Sequence, residues 1–75
     1  MNYFLLLVIT SHSQAKPKPE LIDFLRQKIS LNERALELGL RQAELEQAPL
    51  PIVLWSFGLL SLAQYIEVID WQNDN

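Results

Sequence analysis

The chain has 75 residues, room for one domain, and a chain this short buries only about 60% of the surface it exposes when unfolded. With no cysteine and a single histidine, His12, it has neither disulfides nor a histidine-cysteine metal site to support so thin a core. At 49% hydrophobic and 20% charged residues it reads as folded and soluble; its net charge of −3, with all six bases within residues 1–41 and five acids but no base in 42–75, argues against a nucleic-acid partner.

The chain opens on an apolar run, Tyr3 to Ile9, far shorter than the roughly 20 residues that span a bilayer, and without the basic leader of a signal peptide. No stable transmembrane anchor is therefore expected. The run reads as a short strand or helix laid on the core, or as an irregular extension left by a start codon assigned upstream. Residues 10–19 hold two prolines and no buried-face pattern, which marks a linker. The expected division is an N-terminal run and linker over 1–18 and one helical module over 19–73.

A first helix starts at Pro19, where a missing N–H costs nothing, and buries Leu21, Ile22, Leu25 and Ile29. Ser30-Leu31-Asn32-Glu33 has the spacing of a capping box, Ser30 with Glu33, so a second helix is predicted from Leu31. Its predicted stripe is Leu31, Ala35, Leu38 and Leu45, widened by Leu36 and Leu40, with an ion pair between Glu37 and Arg41. Gly39 interrupts that helix and marks a close helix approach. Pro49 ends it.

Ile52 to Phe57 is apolar but for Ser56, and periodicity cannot decide between strand and helix. Pro51 suits a first turn and Gly58 a left-handed stop, which favours a short buried helix; a strand paired with Tyr3 to Ile9 is the alternative. Ser61 and Gln64 form a second capping box. The helix they start is predicted to bury Leu62, Tyr65, Ile66 and Ile69, leaving Val68 and Trp71 as an apolar edge at i,i+3 spacing. The fold class is all-α: a small compact bundle of about four short helices, arranged as two helical hairpins behind an irregular N-terminal extension.

Without cysteine, and with His12 in the linker, no catalytic residue, metal site or cofactor is expected. Glu44 and Glu46 stand at i,i+2, too far apart around a helix to act together. The chain is read as a cytoplasmic non-enzyme. Its expected role is protein interaction or regulation, binding an unknown protein partner or a second copy through Val68 and Trp71.

The stretches Glu20-Leu21-Ile22-Asp23-Phe24-Leu25, Leu38-Gly39-Leu40-Arg41-Gln42 and Pro49-Leu50-Pro51-Ile52-Val53-Leu54-Trp55, followed by Tyr65 to Trp71, resemble a family of short cyanobacterial proteins of unknown function. That resemblance implies a lineage and no activity. Leu50 to Ser61 is more weakly similar to the N-terminal domain of type II secretion and type IV pilus assembly ATPases, some of which bind cyclic di-GMP. Pro51 stands where that pattern has glycine, and no arginine precedes Leu50. A cyclic-dinucleotide module is therefore one alternative role, and a membrane-associated small protein held by residues 3–9 is another.

Overall fold

The computed structural model describes residues 16–74, which form four helices and no strand: α1 (Pro19–Gln27), α2 (Glu33–Glu46), α3 (Leu50–Ser56) and α4 (Leu62–Asp74). The all-α class is as the sequence predicts, and the apolar segment after Pro49 is helix. The Tyr3 to Ile9 run and His12 lie outside the described residues. Helix α2 packs on α3, α3 on α4, and α4 on α1. The last helix therefore bridges α3 to α1, a role the two-hairpin picture does not give it.

Local signals explain where the helices begin and end. Helix α1 has Pro19 in its first turn, and the Lys18 carbonyl accepts the N–H groups of Leu21 and Ile22 at 3.0 and 3.3 Å. Helices α2 and α3 end alike. Gln47 (φ 53°) and Gly58 (φ 76°) take the left-handed position, and the next residue's N–H returns to the carbonyl five back: Ala48 to Ala43 at 3.0 Å, Leu59 to Leu54 at 2.8 Å. The predicted box at the start of α4 is complete. The Gln64 N–H donates to Ser61 Oγ at 3.1 Å, and the Ser61 N–H to Gln64 Oε1 at 2.9 Å.

The box predicted at Ser30 does not form. Ser30 sits at φ 64°, turning the chain out of α1, and a residue in that conformation cannot supply the extended backbone of an N-cap. Asn32 caps α2 instead, its Oδ1 accepting the Ala35 N–H at 2.8 Å, so the helix starts at Glu33. Glu33 turns its carboxylate to Arg26, at 2.7 and 3.2 Å, across the α1–α2 turn. This is the one ion pair among the described residues, and it replaces the predicted Glu37–Arg41 pair. Asn32→Ala is expected to cost about 1 kcal/mol, whereas Ser30→Gly, which relieves a left-handed serine, is expected to gain about 0.5 kcal/mol. Urea unfolding of the two variants measures both, and a loss of stability from Ser30→Gly would restore Ser30 as the cap.

The core consists of Leu21, Leu25 and Ile29, Leu36 and Ala43, Leu50, Val53 and Leu54, Leu60, and Val68. No polar or charged side chain is buried among the described residues. Two buried faces differ from their predicted ones. Helix α2 turns Leu36, Gly39 and Ala43 inward and leaves Leu38 and Leu45 at 52% and 72% exposure. Small residues let α3 approach: a methyl on Gly39 would crowd Leu54 Cδ2 and stand 3.3 Å from Leu50 Cδ1. Helix α4 buries Val68 and half-buries Tyr65 and Trp71, while Leu62 and Ile66 remain 56% and 50% exposed. Stacking decides this second case, because Tyr65 lies on Trp55 and Trp71 on Phe24, which fixes α4 by the 65, 68, 71 stripe.

Candidate docking face

Helix α4 carries two interleaved apolar stripes, and the packing consumes only one of them. Tyr65, Val68 and Trp71 face the body of the protein. Leu62, Ile66 and half-buried Ile69, spaced four and three residues apart, form the other stripe. On α3 the turned-in residues are Leu50, Pro51, Val53 and Leu54, so Ile52 and Trp55 look outward at 42% and 41% exposure.

The Trp55 and Tyr65 rings join the two helices, stacked with centroids 5.2 Å apart and planes at 20°. Ile52 and Trp55 on α3, and Leu62 and Ile66 on α4, are thus exposed on the two helices that this stack joins. No residue from Gln47 through Ile66, twenty in all, carries a charge. Such large side chains, each about half exposed, present on the order of 400 Å² of apolar surface, within the range of the largest patches on monomeric proteins. Phe57 and Leu38 flank a small cleft of about 230 Å³ that also meets Gly39, Gln42 and Leu59.

The residues assigned to partner binding from sequence are placed differently. Val68 is fully buried at 0% exposure, so it is not part of an open edge. Trp71 stacks on Phe24, centroids 4.6 Å apart and planes at 15°, and belongs with the half-buried residues packed on the core. Its remaining surface borders a cleft of about 890 Å³ between the start of α1, the end of α2 and the end of α4. Lys16 and Lys18 meet Glu20 and Glu44 there, and no arginine lines it. A cyclic dinucleotide would thus find two lysines offset by two carboxylates. Of the structural positions, Gly58, Ser61 and Gln64 act as predicted, and Ser30 and Glu33 as described above.

Among the described residues, no group of three His, Asp or Glu side chains is placed to hold a metal ion. In the exposed Arg26–Glu33 pair the hydrogen bond holds the guanidinium above its ordinary value and the carboxyl below. Protonating Glu33 in acid removes its contribution, and salt screens it, so this pair acts as a modest clip on the turn.

The outward face was legible in two signals that periodicity alone overlooks. One is the uncharged stretch 47–66, and the other is a helix with more apolar residues than one stripe can hold. No curated protein and no solved structure matches the chain. The family described as protein of unknown function (DUF2949) matches residues 18–73, the four helices almost from end to end. On that match the chain belongs to the DUF2949 family, whose members share a domain of unknown function.

Proposed function

We propose that the chain is a non-catalytic docking module that binds protein through the outward face of α3 and α4. One observation carries the reading: Ile52, Trp55, Leu62 and Ile66 stay open to water on the two helices that the Trp55–Tyr65 stack joins, in a stretch without charge. A protein this small gains stability from every apolar side chain it can bury. Leaving four large ones outside is explained by a surface that covers them in use.

Charge favours a protein surface over a lipid one. Residues 42–75 carry five acids and no base, which anionic headgroups repel, and no helix among the described residues is long and apolar enough to cross a membrane. The test is co-purification from the native cell with a tagged full-length chain, beside a Leu62→Ser, Ile66→Ser variant. Both positions are exposed, so the variant is expected to melt within a few degrees of wild type. A partner recovered in stoichiometric amount with wild type is expected to fall at least tenfold with the variant, about 1.4 kcal/mol or more of lost binding. Undiminished recovery by a folded variant would contradict the reading.

A further inference from the structure

We infer that a second copy of this chain covers the face, through an antiparallel pairing of the two α4 helices. This rests on the docking reading and names the occupant. Leu62, Ile66, Ile69 and Asn73 follow one another at spacings of four, three and four, the pattern of a helix-to-helix seam. Thirteen residues, Leu62–Asp74, give α4 a length of about 20 Å, enough for such a seam.

Charge sets the direction. Asp70 and Asp74 lie in the second half of α4, Glu67 stands just before its midpoint at Val68, and the first five residues, Leu62 to Ile66, carry no charge. A parallel pair would bring the two acid clusters together. An antiparallel pair separates them and lays each against the uncharged, dipole-positive start of the partner helix. The face itself has no charge to select a basic or an acidic stranger, and apposing two copies of it leaves no charge unpaired between them. Around 400 Å² of apolar surface per copy is about half of what each partner brings to a standard interface, which fits a weak, reversible dimer with a dissociation constant of roughly micromolar or above.

The absence of cysteine makes the test clean. Full-length chain is examined by sedimentation equilibrium from about 1 to about 500 μM, a range that opens at the lower end of the expected constants. Ile66→Cys and Leu62→Cys are treated separately with a short bis-maleimide. In the antiparallel pair Ile66 lies near the two-fold axis and its cysteine links to its own counterpart. Leu62 is carried roughly 12 Å or more along the axis from its counterpart, and its cysteine does not link.

The expected result is a dimer weakened at least thirtyfold by Ile66→Glu, with linkage at position 66 and not at 62. Equal linkage at both positions would overturn the antiparallel geometry, and a dimer indifferent to Ile66→Glu would place the contact elsewhere. A chain monomeric at the highest concentration, with neither cysteine linking, would overturn the second copy as occupant. The docking reading then stands or falls separately, on whether the Leu62→Ser, Ile66→Ser variant loses a different protein.

Discussion

Gly39→Val is expected to lower the unfolding free energy by about 3 kcal/mol or more, a large share of what holds so small a domain together. Gly39 lies on the buried face of α2, and a β-carbon there would stand 3.1 Å from Leu54 Cγ and 3.3 Å from Leu50 Cδ1, with Leu54 Cδ2 nearer still. Leu54 is fully buried and has no open side to move toward. Two opposing effects meet at this position. Alanine in place of a mid-helix glycine gains up to about 1 kcal/mol of helix propensity, which the crowding must exceed for even Gly39→Ala to destabilise. Valine adds two γ-carbons to the same gap and leaves no doubt of the sign.

Denaturant unfolding measures the loss, and a double variant tests its cause. In Leu54→Ala the missing side chain leaves space that Gly39→Ala partly fills, so the two changes together are expected to cost about 1 to 2 kcal/mol less than their separate costs combined. Strict additivity, or a Gly39→Val chain as stable as wild type, would contradict close packing of α2 on α3.

Trp71→Ala is expected to cost about 2 to 4 kcal/mol, somewhat less than a fully buried tryptophan would. The indole lies flat on Phe24 and is the aromatic contact by which the end of α4 holds α1. Removing it strips the apolar area of that contact and the stacking gained beyond area. In a domain of this size the melting temperature is expected to fall by roughly 10 to 20 °C. Trp71→Phe, which keeps a ring on Phe24, is expected to fall by less than half as much. The sequence pattern alone, with Trp71 on an unclaimed edge, predicts the opposite: an unchanged melting curve. A thermal scan of Trp71→Ala therefore separates the two accounts.

Elements whose determinants lie within a few residues could be read from sequence. Pro19 and Pro51 in first turns, Gly58 as a left-handed stop and the Ser61–Gln64 box depend on neighbours within one turn, and each is where the pattern puts it. Ser30 failed because two residues competed to start α2. The need for a left-handed turn out of α1 removed one of them, leaving Asn32.

Helix faces were harder to read, since other helices choose them. In α2 the leucines outnumber what one face can take, and the contact with α3 selected glycine and alanine, which admit a close neighbour. In α4 the choice between Leu62 with Ile66 and Tyr65 with Trp71 was made by Trp55 and Phe24, which are distant in sequence. The same inversion moved the candidate site: Val68, expected at the surface, is core, and Leu62 and Ile66, expected in the core, form the outward face.

That orientation of α4 underlies the docking reading, and alanine at two positions of one turn, on nearly opposite faces of the helix, tests it directly. Val68→Ala removes two methyl groups from a fully buried site and is expected to cost about 2 kcal/mol, whereas Ile66→Ala, on the half-exposed stripe, is expected to stay within about 0.5 kcal/mol of wild type. Measured by urea unfolding at a submicromolar concentration, where a weak dimer adds nothing to stability, the predicted result is a large loss at Val68 and almost none at Ile66. The reverse order, Ile66 costly and Val68 neutral, would turn α4 over and leave the proposed face buried in the core.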